Sequence, residues 1–230
     1  MYGRELRRTV LTAAAVALLL AFTPGYAASE EQAQGAPQKV SAPGELVRMG
    51  FNDTGYVTLG YRIANESVGE EWLLLEVGMT LNKGVEEVEI TRDSLSVETP
   101  DGSRLPLATQ EQYNEAYKVM RPLDRKANRV RDNIDYLPAS ATNPCSMRFF
   151  TGTGGARRLS SDAFQLSWRT RCFGRLYFQV PGGIQYGQHF LHVQLGETTM
   201  RVPFRIMTKE ELKEAKAEYK QKMKEAKQAE

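Results

Sequence analysis

The chain has few of the residues that usually perform acid–base, nucleophilic or metal chemistry. Its 230 residues include only two histidines and two cysteines. It contains no Gly-x-Ser-x-Gly elbow, no Ser-x-x-Lys motif, no His-Glu-x-x-His motif and no Gly-x-x-x-x-Gly-Lys-Ser/Thr loop. These absences argue against the common hydrolases, zinc peptidases and nucleotide-binding enzymes. The sequence therefore indicates no catalytic residue, no metal ligand and no cofactor.

The two histidines do not form a pair. Both lie in the segment GQHFLHVQL, where the alternation of Leu191, Val193 and Leu195 predicts a strand. Successive side chains of a strand point to opposite faces. His189 is therefore expected on the face of Leu191 and Val193, and His192 on the other, which argues against a shared metal or proton-transfer site.

Long hydrophobic runs are also scarce. The run from Val10 to Phe22 is shorter than the roughly 20 residues that span a membrane. It follows Arg4, Arg7 and Arg8, an arrangement that predicts a secretory signal peptide over residues 1–27. Adjacent arginines are typical of a twin-arginine signal and also of an ordinary basic leader. Both alternatives predict an exported protein, periplasmic or secreted.

The remaining chain divides by composition. Residues 28–44 are rich in Ala, Gln, Gly and Pro, which predicts a flexible linker. Residues 45–207 are sufficient for one domain with a sizeable core and contain no run that could span a membrane. Residues 208–230 predict a charged helix with a Thr-x-x-Glu capping box at its start. This helix either packs on the domain or docks a partner, including a second copy.

The cysteines predict a structural bridge. Cys145 and Cys172 are the only two in the chain, and paired cysteines outside the cytoplasm usually form a disulfide. No Cys-x-x-Cys motif indicates a redox role.

Most of the domain shows the pattern of short strands. WLLLEVGMTL (72–81) has the length and apolar content of a strand, and Pro100 to Ser103 predicts a hairpin turn. Eight or nine such strands predict an antiparallel β-sandwich. Residues 108–144 change to helical spacing, most clearly over 108–136, with a helix start at Thr109 and an interruption at Pro122. This insertion either caps the sheet or has a binding function.

Two segments resemble a known family. SLSVETPDGSRLPL (94–107) and GRLYFQVPGGIQYGQHFLHVQL (174–195) are similar to a hairpin and a late strand pair of secreted bacterial immunoglobulin-like domains of unknown function. The resemblance implies an immunoglobulin-like antiparallel β-sandwich and brings no catalytic residues. Trp168 lies just before the second cysteine, so the pattern of antibody domains is not matched.

Charge is distributed unevenly along the chain. Residues 28–117 contain 6 basic and 16 acidic residues, whereas residues 118–175 contain 12 basic and 4 acidic. The insertion contributes five candidate residues for binding an anion or a partner: Arg121, Arg125, Lys126, Arg129 and Arg131. In an exported protein the expected ligand is an anionic glycan, a lipid headgroup or an acidic protein face, not nucleic acid. The alternative is that these cations pair with the acidic strands that precede them.

The loop TGTGGARR (151–158) is a further candidate anion site. Its glycines free backbone amides beside Arg157 and Arg158, although a mobile hairpin tip explains the same composition. Together these features favour a noncatalytic binding or assembly module of the cell envelope. The alternative is an enzyme of unrecognised, hydrolase-like type with a site near the loops of residues 108–158.

Overall fold

The computed structural model describes residues 38–151 and 160–228. Within these ranges the chain forms twelve strands and four helices. The predicted signal peptide, residues 28–37 of the predicted linker and the loop 152–159 lie outside the described residues.

The elements follow one another in mixed order. The strands are β1 (Lys39–Gly44), β2 (Val47–Phe51), β3 (Gly55–Gly60), β4 (Trp72–Leu81), β5 (Val88–Thr91), β6 (Leu95–Glu98), β7 (Arg104–Pro106), β8 (Asn143–Met147), β9 (Ala163–Leu166), β10 (Thr170–Gln179), β11 (Gly187–Leu195) and β12 (Thr198–Ile206). The helices are α1 (Arg62–Asn65), α2 (Gln110–Glu115), α3 (Tyr117–Arg129) and α4 (Lys209–Gln228).

The strands form two larger sheets and one isolated pair. The six-stranded sheet has the order β1-β2-β3-β4-β10-β8, the four-stranded sheet has the order β12-β11-β6-β7, and β5 pairs with β9. All neighbours are antiparallel except β8 and β10, which are parallel. The chain is thus mainly β with antiparallel sheets, as predicted, while the parallel pair was not predicted.

Strand β4 is buried on both faces. Leu73 and Leu75 belong to the main core, to which both larger sheets contribute. Trp72 and Leu74 belong to a second apolar cluster, together with Met120 of α3. We call the face of the six-stranded sheet that includes Trp72 and Leu74 its outer face. Because α3 covers it, the start of β4 is apolar at consecutive positions instead of alternating.

The predicted insertion lies between β7 and β8. The helix start at Thr109 is confirmed, since its hydroxyl accepts from the Gln112 backbone and the Gln112 side chain accepts from the Thr109 backbone. The predicted interruption at Pro122 is wrong, because the break falls at Ala116 and α3 continues through the proline. Pro122 is exposed, and as a proline it has no backbone N–H to donate to the carbonyl of Lys118.

Two predicted boundaries also need correction. The flexible linker was extended too far, because Lys39–Gly44 pairs with β2 as an edge strand. The alternation of Val57, Leu59, Tyr61 and Ile63 predicts a strand that continues to Ile63. Strand β3 instead ends at Gly60, and Ile63 lies in α1 within the second cluster. An alternating pattern does not reveal the change from strand to helix here, because one helical turn can continue an apolar alternation for two residues.

The predicted C-terminal helix is confirmed. Its capping box is formed, since the backbone of Thr208 donates to the Glu211 carboxylate and the backbone of Glu211 donates to the Thr208 hydroxyl. Leu212 and Ala215 pack against the main core, so the beginning of α4 rests on the domain. In residues 38–151 and 160–228 no helix is long and apolar enough to cross a membrane.

Candidate functional site

Helix α3 is fixed to the outer face by one side. Met120 and Ala127 are fully buried and lie in the same cluster as Trp72 and Leu74 of β4 and Tyr177 of β10. Apolar residues at positions 120 and 127, two turns apart, define the inward side of the helix. The orientation of α3 is therefore set by packing.

A buried carboxylate adds a polar anchor on the same side. The hydroxyl of Tyr113 donates to Oδ2 of Asp124 at 2.6 Å, and the hydroxyl of Tyr177 donates to Oδ1. The guanidinium of Arg175 lies 3.8 Å from Oδ1. Burial and the neighbouring carboxylate raise the pKa of Tyr113 and of Tyr177, so both remain donors at neutral pH. The anchor joins α2, α3 and β10.

The opposite side of α3 has a row of cations. Lys118, Arg121, Arg125 and Arg129 are spaced by three or four residues, so they share one face of the helix. All four are exposed. At about 1.5 Å of rise per residue the row is about 16 Å long. We call these four residues the basic stripe.

The basic stripe has no carboxylate partner in the described part of the chain. None of its members is among the ion pairs found in residues 38–151 and 160–228. Of the five cations predicted as a site in the insertion, only Lys126 has such a partner, Glu66 at 3.2 Å. The alternative in which preceding acidic residues neutralise the insertion thus applies to Lys126, and Arg131 also interacts electrostatically with Glu76 of β4. The stripe leaves a local excess of positive charge on a fixed surface.

Arg131 lies apart from the stripe, at the edge of a cleft of about 560 Å³. The cleft is lined by Glu76, Arg131, Asp132, Asn133, Ile134, Asp135, Phe173, Gly174 and Arg175. Most of these charges are paired: Asp132 with Arg62 at 2.6 Å, Asp135 with Arg171 at 2.6 Å, and Glu76 with Arg175 at 3.4 Å. Burial raises the pKa of Glu76, and the positive charge of Arg175 partly offsets that rise. The cleft is therefore largely neutral.

A smaller groove lies on the flank of α3. It has a volume of about 210 Å³ and is lined by Glu66, Ser67, Glu70, Trp72, Val119, Pro122, Leu123 and Lys126. Trp72 is 5% exposed, whereas Val119 is 46% exposed. We call it the Trp72 groove. It adjoins the basic stripe, because residues 119, 122, 123 and 126 are the helical neighbours of residues 118, 121 and 125.

Comparison of the whole chain with protein-family models, curated proteins and solved structures found no significant match.

The other predicted residues lie elsewhere. Arg157 and Arg158 fall in the loop outside the described residues. The predicted disulfide is present: Cys145 and Cys172 are bonded and lie opposite each other in the pairing of β8 with β10. The bridge fastens β8, the edge strand that follows the insertion, to β10.

The histidines occupy opposite faces of β11, as predicted. His189 is fully buried against Phe204, and burial lowers its pKa. His192 instead pairs with Glu98 at 2.8 Å. In the described ranges no group of three His, Cys, Asp or Glu side chains could hold a metal ion.

Sequence reasoning missed three parts of the site. Lys118 was omitted although its spacing from Arg121 places it on the same helical face. Trp72 was identified only as part of a strand, and Asp124 was not identified at all. Its position among basic residues is typical of an exposed ion pair, and nothing local indicates that tyrosines from two other elements bury it.

Proposed function

We propose that this chain is a noncatalytic binding module of the cell envelope that holds an anionic partner on the basic stripe of α3. The observation that supports this proposal is the row of four exposed cations without a carboxylate partner in the described ranges, on a helix fixed by apolar and polar anchors. Cations within one Debye length, about 8–10 Å, reinforce one another's potential. An anionic partner would relieve their mutual repulsion.

The compartment and the fold family are part of the same proposal. The basic, apolar leader supports export, and the Cys145–Cys172 disulfide fits an oxidising compartment. The two larger sheets share one core and are antiparallel except for the β8–β10 pair; with the resemblance of residues 94–107 and 174–195, they support an immunoglobulin-like sandwich.

Matched charge variants test the binding proposal. The double variant Arg121→Gln/Arg125→Gln removes two charges from the stripe, and Lys213→Gln/Lys220→Gln removes two exposed charges from α4. The probe is dextran sulfate, and the measurement is its Kd for the full chain at two salt concentrations. An exposed ion pair contributes about 0.2–1 kcal/mol, so the stripe variant should weaken binding by about two- to thirtyfold. Dextran sulfate binding by the stripe variant should also depend less on salt concentration than binding by the unchanged chain.

The control decides whether the stripe is the site. The α4 variant should change Kd less than the stripe variant, because the stripe alone has no neighbouring acidic row. Equal weakening by the two variants would show that only net charge matters and would refute the proposal.

A further inference from the structure

We infer that the partner of the basic stripe is an acidic protein segment that inserts one apolar side chain into the Trp72 groove. This inference rests on the proposed function and names the partner class. It is supported by the volume of the groove, by the apolar residues exposed in and directly after α3 and by the charges on the far rim of the groove.

The groove has room for one large apolar side chain. Its volume is about 210 Å³, and a closed apolar cavity of roughly 150 Å³ holds benzene. Its α3 wall consists of Val119, Pro122, Leu123 and Lys126, and Trp72 belongs to the second apolar cluster. Sugar rings are usually held against exposed aromatic faces, whereas Trp72 is nearly covered.

Exposed apolar residues concentrate around α3. Among the large apolar side chains whose exposure the structure describes, five are exposed, and three of them, Tyr117, Val119 and Val130, lie in α3 or directly after it. Apolar and aromatic residues beside arginines are the composition of protein interfaces. A sulfated polymer or a lipid headgroup layer would leave these side chains without apolar contacts.

The far rim of the groove is acidic. Glu66 and Glu70 lie on the side opposite α3, and both are exposed. Glu66 is paired with Lys126, whereas Glu70 has no cationic partner in the described ranges. A uniformly anionic surface that covered the stripe and the groove would be repelled by Glu70. A protein segment can instead present acidic residues to the stripe, an apolar residue to the groove and a basic residue to Glu70.

Synthetic peptides test the apolar anchor. Each probe peptide has one variable position, which is leucine in one peptide and glycine in the other. Two glutamates flank this position on each side, and a lysine stands at the end of the peptide. Binding to the full chain is measured by fluorescence anisotropy. Burial of a leucine side chain should make the leucine peptide bind about tenfold more tightly than the glycine peptide. Equal Kd values for the two peptides would overturn the inference.

Two valine variants test whether the leucine of the peptide binds in the Trp72 groove. Val119→Ser alters one wall of the groove at an exposed position, and Val40→Ser is the matched control, since Val40 is 44% exposed on β1. Val119→Ser should reduce the leucine preference by about threefold and leave dextran sulfate binding unchanged, because the charges are intact. Val40→Ser should change neither. A leucine preference that persists undiminished in Val119→Ser would place the anchor elsewhere and refute the groove.

The outcomes separate the two proposals. Loss of dextran sulfate and peptide binding in Arg121→Gln/Arg125→Gln, together with equal binding of the two peptides, would keep the stripe and reject the groove. Insensitivity of both probes to that double variant would reject the stripe itself. Vesicles of phosphatidylglycerol test whether a membrane surface binds the stripe instead of a protein segment. Vesicle binding that is tighter than leucine-peptide binding and insensitive to Val119→Ser would favour a lipid surface and overturn the acidic-segment inference.

Discussion

Helices α3 and α4 both have a row of exposed cations, but they differ in what balances it. In α4 the row consists of Lys209, Lys213, Lys220 and Lys224, and another face of the same helix has Glu210, Glu214, Glu218 and Glu225. A helix is about 10 Å wide, close to the Debye length, so the two rows screen each other. In α3 the single acidic residue, Asp124, is buried beneath the helix. The comparison shows that lysine and arginine content alone does not define a charged site.

The two helices also differ in how they are fixed. α3 has a buried cluster and a carboxylate with two tyrosine donors under it. α4 rests on Leu212 and Ala215 at its beginning, with a hydrogen bond from Tyr219 to the carbonyl of Pro43 at 3.3 Å. A fixed helix holds its cations at constant spacing, which lowers the entropy lost when a partner binds.

The largest effect is expected from removing the carboxylate beneath α3. Asp124→Ala leaves the hydroxyls of Tyr113 and Tyr177 without their acceptor in an apolar cluster. We expect a loss of about 3–5 kcal/mol in the free energy of unfolding, measured by urea denaturation. The matched control on α4 is Glu218→Ala, an exposed position that should cost less than about 0.5 kcal/mol. Similar losses in the two variants would contradict the distinction between the helices.

A smaller loss of stability is expected when a tyrosine hydroxyl is removed, from Tyr113 near α3 or from Tyr219 of α4. Tyr113→Phe removes a buried donor to a carboxylate and should cost about 1.5–3 kcal/mol. Tyr219→Phe removes a part-buried hydrogen bond from α4 to a neutral carbonyl, and it should cost about 0.5 kcal/mol. Both substitutions keep the ring, so thermal or urea unfolding reports the hydroxyls. If Tyr219→Phe were the more costly change, α4 would be the better anchored helix.

Much of the architecture could be predicted from local pattern. The strand at WLLLEVGMTL, the hairpin turn before Arg104 and both capping boxes depend on residues within four positions of each other. The opposite directions of His189 and His192 follow from the pleat alone. The regular spacing of the basic stripe was also visible in the sequence.

What could not be predicted depends on distant contacts. Pro122 stays within α3 because it lies on the exposed side, and exposure is a property of the packed helix. Asp124 is buried because Tyr113 and Tyr177, 11 and 53 residues away, converge on it. The Trp72 groove requires α3 to lie beside residues 66–70, a relation that no local period encodes.

High pH should destabilise the contacts beneath α3, whereas low pH should destabilise the start of α4. Burial, with Asp124 nearby, raises the pKa of Tyr177 and Tyr113 above 10.0, so the folded state keeps protons that the unfolded state loses. This contribution to stability is complete below pH 10.0 and is lost as the pH rises further. At α4, the backbone of Thr208 and then Arg205 lower the pKa of Glu211 below 4.5, so its contribution is complete above that pH and is lost as the pH falls.

Urea unfolding across pH, with one variant for each helix, measures these contributions. Above pH 10.0, Tyr177 and Tyr113 should each add at most about 1.4 kcal/mol per pH unit to the alkaline slope, because the unfolded chain releases one proton from each tyrosine that the folded state keeps. Tyr113→Phe should reduce that slope and leave the acid limb unchanged, because it removes only a hydroxyl beneath α3. Glu211→Gln should reduce the acid limb and leave the alkaline slope unchanged. An alkaline slope unaffected by Tyr113→Phe would mean that the tyrosines do not couple protonation to the anchoring of α3.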